Sequence, residues 1–247
     1  MKAIFTGIVI SLLFVHSFTG CTKNNLPVEP EPFPVMPVPE LPTPGDSTHR
    51  TFLALGDSYT IGQSVEEQLR FPAQTVALLN KKGGHFHEPL YIARTGWTTR
   101  NLQSAMDHAT LAENYDIVTL LIGVNDQYQG IDTATYRARF TELLKRSIGL
   151  AGNNPLHVFV VSIPDYSATP FVEPAYKQTV SLEIDWFNDI NKNVSDLYHC
   201  VYVDITPSSR DALNDASLVA GDGLHPSGSE YKKWAVKLSS LIELSFR

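Results

Sequence analysis

The stretch Leu53-Ala54-Leu55-Gly56-Asp57-Ser58-Tyr59 decides how the rest of the chain is read. Its apolar run has the length of a buried strand and delivers Ser58 to the tip, where Gly62 then permits a loop. Near the other end the chain reads Asp222-Gly223-Leu224-His225-Pro226. Asp222 and His225 lie three residues apart, close enough for a carboxylate to hold an imidazole by its Nδ1 hydrogen. A hydroxyl, a base and an acid that orients the base are the parts of serine hydrolysis, so ester cleavage is the chemistry to expect.

Outward from Ser58 the pattern alternates. Strands are predicted at 51–55, 90–93, 117–122, 156–163 and 201–205, each short and nearly continuous in apolar residues, as strands buried on both faces are. Helices are predicted at 66–81, 99–113, 133–150, 174–198 and 228–244. In the third, Tyr136, Phe140, Leu143, Leu144 and Ile148 recur at helical spacing. Ser227 can cap the last, with Glu230 placed as in a capping box. Strict alternation of strand and helix predicts an α/β fold with right-handed crossovers and a parallel sheet between helical layers. In such a sheet the site lies beyond the carboxyl ends of the strands, near the point where strand order reverses. The irregular segments 56–63, 94–98, 123–130 and 164–174 fall there. There is no internal repeat, and once the N-terminal segment is set aside the length fits one domain, 51–247.

With 43% hydrophobic and 18% charged residues, the 247-residue chain has the composition of an ordinary globule. Its formal net charge of −7, with no basic run, argues against nucleic acid, whose phosphates need clustered Lys and Arg. A small-molecule or carbohydrate partner is expected instead. Residues 1–20 have the form of a secretory signal peptide: Lys2, an apolar stretch over 3–15, then small residues before a cut site. That stretch is too short for a good membrane span. Phe18-Thr19-Gly20-Cys21 resembles the lipobox of bacterial lipoproteins, although Phe18 stands where Leu is more usual and His16 is an odd guest in the apolar region. The resemblance implies export and lipidation of Cys21, anchoring a periplasmic or surface-exposed domain to the membrane; the alternative is a cleaved signal with Cys21 incidental. Residues 21–50 then form a tether. Eight of the sixteen prolines fall within 27–44, and polyproline II at about 3.1 Å per residue gives that run a reach of roughly 55 Å. Cys200 is the one other cysteine, and its setting between a helical pattern and an apolar run predicts a buried, inert thiol.

With these residues in view, the folded part resembles the SGNH hydrolases, also called the GDSL esterase and lipase family. The resemblance runs from about residue 51 to the C-terminus and rests on four blocks in order: Gly56-Asp57-Ser58, Gly96, Gly123-Val124-Asn125-Asp126 and Asp222-Gly223-Leu224-His225. It implies a three-layer α/β/α sandwich with five parallel strands in the flavodoxin-like order 2-1-3-4-5. It implies Ser58 as nucleophile, His225 as the base that takes the Ser58 proton and returns it to the leaving alcohol, and Asp222 as the acid that fixes the His225 tautomer. The oxyanion hole it implies consists of the backbone N–H groups of Ser58 and Gly96 and the side-chain amide of Asn125. Taken alone, Gly96 also reads as a turn residue, Asn125 as an Asx-turn former and Asp222 as a helix cap. Tyr59 replaces the Leu for which the motif is named, a variation the family tolerates.

No cofactor and no metal is expected. His85 and His87 flank Phe86 in a Gly-rich loop without further ligands at metal spacing, and read as solvated; His157 reads as a structural residue opening the fourth strand. Asp57 and Asp126 read as hydrogen-bond partners of loop backbone. For the substrate, Tyr59, Trp97, Tyr166 and Phe171 are candidate contacts whose rings can meet an acyl chain, stack on a sugar, or simply pack in the core. No long insertion points to a lid, so an open cleft for short acyl esters, including O-acetyl groups on polysaccharides, is expected. Lysophospholipase or thioesterase action on longer chains, and a non-catalytic glycan-binding lipoprotein, are the alternatives.

Overall fold

The computed structural model describes residues 49–247; the predicted signal, Cys21 and the proline-rich run lie outside them. Phe52–Gly56 forms β1, buried at every position. A short helix α1 (Ser58–Ile61) follows directly, then α2 (Phe71–Asn80), β2 (Leu90–Ala93) and α3 (Thr99–His108). The chain continues through β3 (Ile117–Leu121), α4 (Val124–Tyr128), α5 (Thr133–Leu150) and β4 (Val158–Val161). Helix α6 (Lys177–Leu197), β5 (Val201–Val203), α7 (Thr206–Ser209) and α8 (Gly228–Ser245) complete it.

All five strands run parallel in the order β2-β1-β3-β4-β5, the order implied by the family resemblance. Strands β1, β3 and β4 are buried throughout, which is why they carry almost no polar residue, while the edge strands β2 and β5 are only partly covered. Leu53 stands between Leu90 of β2 and Val118 of β3. Helices cover both faces, with α2 packed on α8 and α5 packed against both α3 and α6. From β1 the chain first builds β2 on one side, then crosses to build β3 on the other. Strand order therefore reverses between β1 and β3, and a crevice opens beyond their carboxyl ends. Ser58 follows the first of these strands and Asn125 the second.

Several predicted boundaries move, each for a local reason. The helix predicted from 66 begins only at Phe71: Pro72 fits the start of a helix but not its interior, and Glu67–Leu69 makes a separate 3₁₀ turn. The helix predicted to 113 stops at His108, after which Tyr115 donates its N–H to Leu150 O (2.7 Å). His157 closes the 3₁₀ turn Pro155–His157 instead of opening β4, and the fourth and fifth strands end at Val161 and Val203. Segments 56–63 and 123–130 hold the short helices α1 and α4 where loops were expected. Ser227 does cap α8, its hydroxyl accepting the Glu230 N–H (3.4 Å). The return half of the box is not made, because Glu230 Oε1 accepts from Ser208 Oγ (2.6 Å) and Trp234 Nε1 (2.8 Å). Cys200 is buried as expected, and burial pushes its thiol up to about 12.

Helix α8 anchors the segment that carries Asp222 and His225. Tyr231, Trp234, Ala235, Leu238 and Ile242 recur on one face and are all buried. Trp234 lies against Phe71 of α2 (ring centroids 6.0 Å) and Tyr231 (5.0 Å, edge to face). Replacing Trp234 with Ala is expected to lower unfolding free energy by about 3–5 kcal/mol in urea titrations; a loss below about 1 kcal/mol would show that this contact does not hold α8 in place.

Candidate active site

A tight loop ahead of α8 brings Asp222 and His225 together. Val219 bridges to Pro226, Ala220 donates its N–H to His225 O (2.7 Å), and Gly223 N–H returns to Ala220 O (3.0 Å). Within this loop His225 Nδ1 lies 2.6 Å from Asp222 Oδ2. Asp222 Oδ1 accepts the N–H groups of Leu224 (2.9 Å) and His225 (3.0 Å), and Oδ2 also accepts from Ser64 Oγ (2.6 Å). Partial burial pushes the Asp222 carboxyl up, but these donors, Ser64 foremost, together outweigh it and hold the group well below the usual carboxylate range. Facing a carboxylate, His225 Nδ1 is the nitrogen that carries the proton in the neutral ring, which leaves Nε2 as the acceptor. His225 is buried, and the Tyr59 ring packs edge-on against it at 5.5 Å.

Ser58 opens α1. Asp57 caps that helix, its Oδ1 accepting the Tyr59 N–H (3.0 Å), and the N–H of Ser58 has no partner within the helix. Among the described residues Ser58 Oγ makes no hydrogen bond with His225; the two ends of the domain meet through the neighbours, Tyr59 on His225 and Ser64 on Asp222.

Gly96 follows β2 in the left-handed region (φ +82°), and a Cβ there would meet nothing within 4 Å. Its requirement is thus backbone conformation beside open space, and among the described residues its N–H meets no acceptor. Asn125 Nδ2 donates to Trp97 O (3.0 Å), which fixes the amide and leaves its second hydrogen free to donate. Asp126 ties the same parts together, accepting the Thr99 N–H (2.8 Å) and Thr99 Oγ1 (2.6 Å) at the start of α3. Gly96 and Asn125 are therefore carried on one braced unit.

Asp57 is fully buried, and its Oδ2 has no hydrogen-bond partner. Burial, opposed by the Tyr59 N–H and reinforced by the nearby Asp126 charge, pushes its carboxyl up to about 8. A carboxyl that stays protonated near neutrality is no anionic partner for an imidazole, and the carboxylate that does meet His225 is Asp222.

Of the four candidate substrate contacts, Tyr59, Trp97 and Tyr166 are packed into the core, where Tyr166 donates its hydroxyl to Gln127 Oε1 (2.9 Å). Phe171 is half exposed, and its N–H donates to Gly223 O (3.2 Å), which seats it on the rim beside Asp222. Tyr128, which sequence reasoning missed, stands 6.5 Å from it between ring centroids and is also exposed. An aromatic three residues beyond Asn125 was the available signal. Ser64 was missed too, and nothing in Gly62-Gln63-Ser64 marks it. His85 and His87 approach His49 (ring centroids 6.2 and 4.7 Å), yet no group of three or more His, Cys, Asp or Glu among the described residues is placed to hold a metal ion.

A doubly wound parallel sheet with a serine after its first strand and an Asp–His pair before its last helix defines the SGNH class of α/β fold. The chain belongs to the GDSL-like lipase/acylhydrolase family, whose model matches residues 54–233, and it is an ester-hydrolysing enzyme. Similar solved structures include the acetylxylan esterase Axe2 from Geobacillus stearothermophilus, 20% identical over 78% of this chain and 94% of that one, with a TM-score of 0.61. TesA is 14% identical over 79% and 99% of the two chains, TM-score 0.62. LAE5, an alpha/beta hydrolase enzyme from the metagenome of Lake Arreo, Spain, is 18% identical over 78% and 95%, TM-score 0.60. At these identities the likeness concerns the fold alone. No curated protein sequence matches significantly.

Asp57 makes stability depend on pH. In the fold its proton is retained up to about pH 8, whereas the unfolded chain gives it up near pH 4, so the folded state binds the extra proton and this contribution falls as pH rises through that window. The Asp57→Asn variant is expected to lose that downward slope in urea unfolding between about pH 5 and about pH 7.5. An unchanged slope would mean that Asp57 is ionised in the fold.

Proposed function

We propose that the chain is a serine esterase in which Ser58 is the nucleophile, His225 the general base and Asp222 the acid that orients it, with the N–H groups of Ser58 and Gly96 and the Asn125 amide receiving the oxyanion. The observation that carries this reading is the 2.6 Å bond from His225 Nδ1 to an Asp222 carboxylate whose other oxygen is filled by two backbone N–H groups. His225 Nε2 takes the Ser58 proton as Oγ attacks the ester carbonyl, and gives it to the leaving alcohol as the tetrahedral adduct collapses. Water then attacks the acyl-enzyme by the same exchange, releasing the acid and restoring Ser58.

The preferred substrates are short acyl esters, including carbohydrate O-acetyl groups. Two observations support this. The cavity beside His225, lined by Pro164, Leu218 and Leu224 among others, holds only about 20 Å³ and has no room for a long acyl chain. Outside it, the exposed rings of Tyr128 and Phe171, tilted against each other at 6.5 Å, each offer a face of the kind on which a sugar can stack. An acetylxylan esterase among the similar folds is consistent with the same class. The enzyme is further proposed to be exported and held at a bacterial membrane through a lipid on Cys21, with the proline-rich run as spacer.

Hydrolysis of p-nitrophenyl esters from acetate to laurate is expected to peak at acetate and to vanish in Ser58→Ala. A peak at longer chains would contradict the short-acyl preference, and activity surviving in Ser58→Ala would contradict the nucleophile. On cell fractionation, Cys21→Ser is expected to move the protein from the membrane to the soluble fraction; retention in the membrane would reject the lipid anchor.

A further inference from the structure

The turn that follows α1 touches both halves of the candidate site. Gly62 closes the helix in the left-handed region (φ +67°), Gln63 N–H returns to Ser58 O (3.0 Å), and Val65 N–H returns to Gly62 O (3.2 Å). Ser64, between them, also lies in the left-handed region, at φ +67°. A glycine would hold that conformation without a Cβ penalty, so the serine is kept there against a local preference. What it does there is visible. Its hydroxyl reaches across 158 positions of sequence to Asp222 Oδ2 at 2.6 Å, the same oxygen that faces His225 Nδ1 at 2.6 Å. The adjacent Gln63 accepts from Thr95 Oγ1 (2.6 Å), one residue before Gly96.

Asp222 needs such a brace. Its side chain is 30% exposed, and its Oδ1 is fixed by the N–H groups of Leu224 and His225. Turning about the Cβ–Cγ bond carries both oxygens off their partners, so a donor on Oδ2 adds to the resistance that the two N–H groups on Oδ1 supply and narrows the range over which Oδ2 moves. Oδ2 otherwise depends on the imidazole it is meant to orient.

We propose that Ser64 is a positioning residue of the esterase site: its hydroxyl locks the plane of the Asp222 carboxylate, and through it the ring of His225, in the orientation that serves Ser58. The inference rests on the Ser58–His225–Asp222 reading above. It gives the left-handed turn a purpose, since the same short segment leaves the nucleophile, braces the acid and contacts the loop of Gly96. Ser64 touches no reacting atom, so its loss lowers turnover without removing the chemistry or the binding of substrate.

The test uses the full-length chain, p-nitrophenyl acetate and three variants. Ser64→Gly relieves the backbone and removes the hydroxyl; its melting temperature is expected to equal or exceed that of the parent while kcat falls about tenfold at unchanged KM. Ser64→Thr keeps a hydroxyl but places a β-branched residue at positive φ; it is expected to melt lower yet keep kcat within about threefold of the parent. A purely structural serine predicts the reverse, with kcat following melting temperature across the two variants, and that result would overturn the proposal. So would a Ser64→Gly enzyme whose kcat stays within about twofold of the parent. Ser58→Ala separates the two levels of inference. If it remains active, the site itself is misassigned; if it is dead while Ser64→Gly is fully active, the site stands and only the role of Ser64 is lost.

Discussion

One carboxylate ties the beginning of the domain to its end. Asp222 stands in the last loop before α8, and its oxygens receive two backbone N–H groups of that loop, the imidazole of His225, and a hydroxyl from the turn beyond α1. Each of these bonds favours the charged form, and together they override the burial that opposes it. The sheet, the packing of α8 on α2 and the left-handed turn at Ser64 all bear on whether this group meets its partners. A carboxylate so filled can hold an imidazole in one tautomer and one orientation, which is the condition for a base to act on a serine.

The second constraint is topological. Because the chain builds β2 before it builds β3 on the opposite side of β1, two strand ends leave a crevice between them, and the segments beyond those ends carry Ser58 and Asn125. Buried polar bonds then fix the crevice walls. Asp126 holds Thr99 by its N–H and hydroxyl, Asn125 holds the carbonyl of Trp97, and Asp57 caps the helix that starts with the serine. Donors held this way need little reorganisation when charge develops on a substrate oxygen, which is where an oxyanion hole gains its effect. Asp57 and Asp126 brace loop backbone, and burial sets Asp57 apart from Asp222: the fully buried Asp57 is pushed toward its neutral form, while the donors around Asp222 hold it charged.

Much of this was legible before any coordinates. The continuous apolar runs around Leu53, Val118 and Val160 read as strands covered on both faces, and their alternation with helical periodicity led to a parallel α/β sheet. The strand order came from the family resemblance, as did the expectation that Gly96 and Asn125 donate to an oxyanion. What could not be read depended on contacts distant in sequence or on backbone states that composition does not encode. Pro72 moved a helix start by five residues, and Glu230 turned from its own helix cap to Ser208 and Trp234. Tyr59, Trp97 and Tyr166 went to the core while Phe171 stayed on the rim, a choice made by packing and not by residue type. The bond from Ser64 to Asp222 spans most of the domain and has no local signature.

The most direct measurement of the central claim is covalent labelling with a serine-directed phosphonate, located by peptide mass spectrometry in the parent chain and in His225→Ala. Ser58 armed by His225 predicts that the label falls on Ser58 in the parent and disappears in the variant. Label on a different serine, or undiminished labelling of Ser58 without the imidazole, would contradict it.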